Sequence, residues 1–187
     1  MMALACMVAA AAQADSVLTR RLAQFMEANR MMNIDKVLDY TYPKLFTIAT
    51  RAEMAEGLKT SFDNEAMTIV LDSVVTDSVY PVFSMMEGSY AKIRYSMKMI
   101  MQVKGRETDS VQQKKKTLQI LAAVRAQYGQ EAGIDGGGNI VIHTNAVMVA
   151  VRDGYAKDWC FVNLKEEDPI TTQLFSNDVL AKLSTYH

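Results

Sequence analysis

The segment from residue 91 to residue 103 most constrains the fold, because apolar and polar side chains alternate along it everywhere except at Ile100. Arg94, Lys98 and Gln102 are among the polar residues at the intervening positions. A period of two is that of a β-strand, whose successive side chains point to opposite faces of a sheet. The segment predicts a long strand in an antiparallel sheet with one covered face and one face toward water. The covered face would carry Ala91, Ile93, Tyr95, Met97, Met99, Met101 and Val103.

Helical spacing of apolar residues dominates the chain before the sheet. It predicts a first helix over 16–32, a second over 34–41 capped by Asn33, and a third that opens with a Thr50–Glu53 capping box. Met54, Leu58 and Phe62 form the inner stripe of the third helix. The later pattern predicts strands over 66–75, 78–86, 140–151 and 158–164, a helix over 108–128 and a short helix after Ser176.

Details of these later elements follow from particular residues. Pro81 donates no ladder hydrogen bond and predicts an edge or a bulge in the strand over 78–86. Turns are predicted at Glu87-Gly88 and, as a hairpin, at Asp153-Gly154. In the helix over 108–128, the residues Val111, Leu118, Leu121 and Tyr128 are predicted to point inward and Lys114, Lys115 and Lys116 outward.

The composition limits the class of protein. A chain of 187 residues, half of them apolar, suits one globular domain, here residues 15–187. The net charge of −1 provides no basic field for a phosphate backbone, so nucleic acid is not an expected partner. No stretch is long and apolar enough to predict an integral membrane segment.

The segment from residue 1 to residue 14 resembles a signal peptide. It is uncharged and apolar, and it ends in Ala12-Gln13-Ala14, the pattern that signal peptidase accepts before Asp15. This predicts an exported protein, periplasmic or extracellular. A lipid anchor through Cys6 is the less favoured alternative. After cleavage Cys160 is the one cysteine left, so no intramolecular disulfide is expected, and its apolar neighbours indicate a packed thiol.

The methionines at positions 97, 99 and 101 raise the question of a soft-metal site. Their sulfurs would lie about 7 Å apart along one strand, too far for one ion without help from another strand. Methionine also fills irregular interiors well, so the prediction is the wall of an adaptable apolar cavity, with no metal and no cofactor. Two histidines, His143 and His187, form no ligand cluster.

The order of elements resembles that of the ketosteroid-isomerase and nuclear-transport-factor-two-like superfamily, which has a cystatin-like α+β domain. The stretches that carry the resemblance are "FMEANRMMNIDKVLDYTYPKLFTIATRAEM" and "WCFVNL", and the first is similar to that of small exported bacterial members of unknown function. The resemblance implies a cone-shaped, strongly bent antiparallel sheet wrapped around the N-terminal helices. The segment over 108–138 departs from the family pattern and would be an inserted helix before the last hairpin.

Three functions are compatible with this reading. The leading one is an exported, non-catalytic domain that binds a small hydrophobic molecule in an apolar cavity and pairs as a homodimer through its sheet. The second is an acid–base isomerase or dehydratase in the same cavity, with His143 or Asp39 as base, Asp72 near the opening and Tyr95 as donor. The third is a protein-interaction module that uses the outer sheet face or the helix over 108–128. The cavity candidates are Tyr40, Tyr42, Tyr95, Met97, Met99, Met101 and His143.

Overall fold

The computed structural model describes residues 2–86, 88–105, 110–165 and 168–187, with side chains from residue 16 onward except that of Ser110. The helices are α1 (Met2–Arg30), α2 (Ile34–Tyr40), α3 (Arg51–Phe62), α4 (Ser110–Tyr128), α5 (Pro169–Leu174) and α6 (Asn177–Ser184). The strands are β1 (Met67–Val79), β2 (Phe83–Met85), β3 (Gly88–Val103), β4 (Ala132–Ile134), β5 (Ile140–Arg152) and β6 (Cys160–Asn163).

The protein has a mixed α+β fold built on one six-stranded antiparallel sheet, as the alternating pattern predicts. The strands are ordered β1-β3-β5-β4, with β2 also paired to β3 and β6 also paired to β5. The sheet does not close on itself, and β1 forms one of its edges. Two register irregularities interrupt β1, between Leu71 and Ser73 and between Thr76 and Ser78. Such bulges bend a strand and increase its twist.

Strand β3 confirms the predicted alternation. Ile93 and Tyr95 are buried on one face, whereas Arg94 is exposed on the other. The expectation that this second face is open to water is wrong at one end of the sheet. There α5 and α6 cover Val149 and Val151, so the sheet supports a core on both faces.

Helix α1 forms the main core with one face of the sheet. Leu18, Leu22, Phe25 and Met26 recur at helical spacing and pack against a set of strand residues that includes Ile93, Tyr95, Met148, Trp159 and Phe161. The predicted caps of the next two helices are confirmed. Asn33 accepts a hydrogen bond from the Lys36 N–H, and Thr50 and Glu53 form a reciprocal capping box.

Helix α4 lies between β3 and β5 in the chain and covers the far end of the same sheet face. Leu121 is buried there with Met101 and Ile140. The prediction that Val111 and Leu118 point inward is wrong, because both side chains are exposed. Leu121 and Tyr128 point inward as predicted, and Thr117, Ile120 and Val124 complete the inner stripe. Lys114 and Lys115 point outward as predicted, whereas Lys116 is half-buried and donates to the Lys104 carbonyl.

The region from residue 66 to residue 86 differs from its prediction. A single strand β1 continues through the break expected between residues 75 and 78, because bulges absorb the irregular spacing. The chain leaves the ladder before Pro81 and resumes as the short β2. Glu87 of the predicted Glu87-Gly88 turn lies outside the described residues.

The connection between β5 and β6 is longer than the predicted tight hairpin. Asp153 begins it and accepts the backbone N–H groups of Tyr155 and Ala156, and β6 starts only at Cys160. The cysteine is free and buried, as its neighbours predict. Among the described residues, no helix is long and apolar enough to span a bilayer.

Candidate functional site

A cavity of about 380 Å³ lies between the N-terminal helices and the sheet face that carries Tyr95. Its wall is mainly apolar, and its volume falls in the range of small-molecule sites, roughly 300 to 1,000 Å³. The sheet contributes Leu71, Val74, Tyr95, Met97, Met99, Met148, Phe161, Val162 and Asn163. The helices and their flanking segments contribute Phe25, Met26, Asn29, Val37, Leu38, Thr41, Leu45, Met54, Leu58, Phe62, Asp168 and Ile170.

The strand register places the cavity wall. Met97 and Met99 of β3 pair with Val74 and Leu71 of β1, and all four side chains line the cavity. Tyr95 precedes them on the same face and is buried. The structure therefore brings together three of the predicted cavity residues, Tyr95, Met97 and Met99.

Helix α3 forms another part of the cavity wall, next to α2 and β1. Its predicted inner stripe, Met54, Leu58 and Phe62, lines the cavity and is only half-buried. None of the residues of α3 is fully buried. This helix therefore faces open space where a packed core would otherwise supply contacts.

Few polar atoms reach the cavity. The Tyr95 hydroxyl donates a 3.0 Å hydrogen bond to Asn163 Oδ1, as expected for a buried tyrosine. Burial raises the pKa of Tyr95 to about 12, against a smaller lowering by Asn163. At neutral pH this hydroxyl is a neutral hydrogen-bonding group. Asn29 donates to the Phe25 carbonyl, and Asp168 caps α5 by accepting the Ile170 N–H.

The third methionine of the predicted set lies apart from the cavity. Met101 is on the same face of β3 as Met97 and Met99, but it is buried in the cluster beneath α4. No group of three or more His, Cys, Asp or Glu side chains that could hold a metal ion is found in the described part of the chain.

Tyr42 is also buried, but it belongs to the core on the other side of β6. Its hydroxyl donates a 2.6 Å hydrogen bond to Asp153 Oδ2, and its ring stacks with Phe175. Burial and the Asp153 carboxylate together raise the pKa of Tyr42 well above its ordinary value. The geometry gives Tyr42 a role in holding the β5–β6 connection against the helices.

Tyr40 and His143 are outside the cavity as well. Tyr40 lies under the Arg21 guanidinium and donates to Gln24 Oε1, at the surface between α1 and α2. A more open groove of about 600 Å³ runs beside it, lined by residues that include Arg20, Glu27 and Lys36. His143 is exposed and pairs in register with Lys98.

The two candidate acids also lie apart from Tyr95. Asp39 forms an ion pair with Arg51, at 2.7 Å, and Asp72 forms one with Lys98, at 2.8 Å. Both pairs are partly exposed to solvent, and ion pairs of this kind contribute little to stability. The structure thus gathers no base from the predicted set around the Tyr95 hydroxyl.

Comparison with known proteins adds no family: no protein-family model matches the chain, and no curated protein is significantly similar to it.

Three polar residues of the site are missing from the predictions above, and two of them have only weak signals in the sequence. Asn29 and Asn163 follow buried positions of a helix and a strand, with no motif around them. Asp168 has a clearer signal, because Asp followed by Pro is a common start of a helix. The Asp168-Pro169 pair could have predicted the start of α5 and, with it, one part of the cavity rim.

Proposed function

We propose that the chain is an exported, non-catalytic binding protein that holds a small hydrophobic molecule in the cavity between α1, α3 and β3. The observation that carries the proposal is the cavity itself, which is walled mainly by aliphatic, methionine and aromatic side chains. Methionine is unbranched and polarizable, so such a wall adapts to ligands of different shapes. Tyr95 and Asn163 supply the few oriented polar atoms typical of small-molecule sites.

The conical fold of the nuclear-transport-factor-two-like superfamily is part of this proposal. Its support is the position of α1 and α3 over one face of the sheet and the two bulges that bend β1. Within that fold, α4 is the inserted helix, and it closes the end of the sheet around Met101. The cavity would then be the open end of the cone.

The acid–base alternative is less well supported. A general base must come within hydrogen-bond reach of the proton that it removes. Asp39 is engaged with Arg51, and His143 is exposed and absent from the cavity lining. Binding therefore requires fewer assumptions than catalysis.

Self-association through the sheet stays a prediction. The outer face of β1 carries Val70 and Val75, which are 40% and 53% exposed, beside the Asp72–Lys98 ion pair. Exposed valines on a sheet edge are suited to pairing, whereas bulges and charges disfavour it.

Filling the cavity is expected to abolish binding. Met97→Trp places a large ring in the middle of the sheet wall, so the affinity for the uncharged apolar fluorophore N-phenylnaphthylamine should fall by more than about tenfold. Fluorescence titration measures this affinity, and circular dichroism checks that the variant is folded. Val75→Trp is the matched control, since it adds the same bulk on the exposed face of β1. Equal binding by wild type and a folded Met97→Trp variant would contradict the proposal.

If the protein is exported, cleavage of the signal-peptide-like segment should shorten the chain. The described core contacts of α1 begin at Val17, so cleavage before Asp15 would leave them intact. Protein isolated from the envelope or medium of its own host is expected to begin at Asp15. Intact-mass measurement tests this. An unprocessed chain in that fraction, or a mass increased by lipid on Cys6, contradicts the proposed cleavage.

A further inference from the structure

The charged groups around the cavity bear on which kind of amphiphile it could hold. Within the described part of the chain, its lining contains no lysine, arginine or histidine, and its two ionisable groups are Tyr95 and Asp168. Three of the cations on nearby elements are engaged elsewhere. Arg51 binds Asp39, Lys44 donates to the Leu174 carbonyl, and Lys104 binds Asp63.

An anionic head group would therefore be poorly accommodated. A carboxylate that leaves water without a cation or several N–H donors loses much of its hydration energy. Asp168 adds a like charge at the rim, and Coulomb repulsion is stronger near a low-dielectric wall than in water. The same cavity exerts no such penalty on an uncharged molecule.

A neutral hydroxyl, in contrast, has partners. Tyr95 donates its own proton to Asn163 Oδ1, so its oxygen lone pairs are free to accept a hydrogen bond. Asn163 also carries an amide NH₂, which is a donor, at the edge of the same cavity. Together these two side chains offer one acceptor and one donor, which match the donor and acceptor of an alcohol.

We propose that the cavity selects an uncharged amphiphile with one hydrogen-bonding head group, held by Tyr95 and Asn163, and rejects the carboxylate of the same skeleton. This inference rests on the proposed function and specifies its ligand class. The methionine wall leaves the apolar part of the ligand loosely specified, so the head group decides selectivity.

Two probes of the same chain length test it, decanol and decanoate, at about pH 8, where the acid is ionised. Isotope-labelled methionine methyl groups report binding by NMR. Met54, Met97 and Met99 line the cavity, and Met101, beneath α4, is an internal reference. Decanol is expected to shift the cavity methyl signals and to bind at least about tenfold more tightly than decanoate.

Variants separate charge from hydrogen bonding. Asp168→Asn retains a side chain that can cap α5 but removes the charge. The ratio of the affinity for decanol to that for decanoate should therefore fall by about threefold or more. Asp178→Asn removes an exposed charge of α6 outside the cavity lining and is the matched control. Tyr95→Phe should weaken decanol by about fivefold while leaving the affinity for decane unchanged.

The outcomes distinguish the two proposals. If neither decanol nor decane shifts the cavity methyl signals, the hydrophobic-binding function itself fails. If decanol and decanoate bind with equal affinity, or decanoate binds more tightly, the binding function stands and the head-group inference is overturned. A decanol preference that is unaffected by both Asp168→Asn and Tyr95→Phe also overturns it.

Discussion

Replacement of Phe161 by alanine is expected to lower the free energy of unfolding by about 3–5 kcal/mol. Phe161 is only 1% exposed and stacks on Phe25 of α1, with ring centroids 4.9 Å apart. It also forms part of the wall of the cavity. Phe161→Ala removes a large side chain next to an existing cavity. Few side chains are therefore available to move into the space that the ring leaves.

The position of Phe161 in the chain adds to the effect. Its backbone carbonyl accepts the Tyr42 N–H at 3.0 Å, which ties the end of α2 to β6. The ring thus lies where α1, the segment after α2 and the sheet meet. Loss of the ring removes contacts with all three of these parts. The expected loss in the free energy of unfolding therefore lies in the upper part of the range for single substitutions.

Chemical denaturation followed by circular dichroism measures this change. Val75→Ala is the control, because Val75 is exposed on β1 and surface substitutions usually change stability by about 0.5 kcal/mol or less. A loss below about 1 kcal/mol for Phe161→Ala would contradict the packing of α1 on β6.

The elements that the sequence predicts best are those with a local cause. The alternation in β3 follows from the geometry of one strand, and the caps at Asn33 and Thr50 follow from backbone groups within one helical turn. Tyr95 and the methionines of β3 could be assigned to one face for the same reason. These predictions need no knowledge of which elements meet in the folded chain.

The position along a strand is not a local property. β3 has sixteen residues and spans about 50 Å, longer than one small core, so one face serves two clusters. Met97 packs on the core of α1, whereas Met99 packs on the cluster beneath α4 in which Met101 is buried, although Met97 and Met99 both line the cavity. Alternation assigns all three to one face but does not say which helix covers each of them.

Pairings distant in the chain explain the other differences. Tyr42 lies near the predicted site in sequence, but its hydroxyl is held by Asp153, 111 residues further on. His143 lies on a strand with a long apolar pattern, yet the part of β5 that α5 and α6 cover begins beyond it, near Val149. Neither the Tyr42–Asp153 hydrogen bond nor the extent of β5 that α5 and α6 cover has a signature within one element. Periodicity therefore could not locate them.

The second large effect is expected at high pH. Burial raises the pKa of Tyr95 from 10.0 to about 12, so the folded protein retains a proton that the unfolded chain releases first. Stability falls with pH wherever the folded state binds more protons. The contribution is fully present below about pH 10 and is lost as the pH rises through about 12, an effect of about 2–3 kcal/mol. Burial also raises the pKa values of Tyr42 and Tyr90, which act in the same direction.

Comparison of wild type and Tyr95→Phe isolates the contribution of this hydroxyl. Denaturation at several values between about pH 9 and pH 12 should show a smaller loss of stability in the variant, since phenylalanine has no proton to release. Tyr155→Phe, at an exposed ring, is the control for loss of a tyrosine hydroxyl elsewhere. If Tyr95→Phe loses stability as steeply as wild type, the hydroxyl is hydrated in the folded state. That result would mean that water occupies the cavity beside Tyr95, and a water-filled cavity would weaken the case for an apolar ligand.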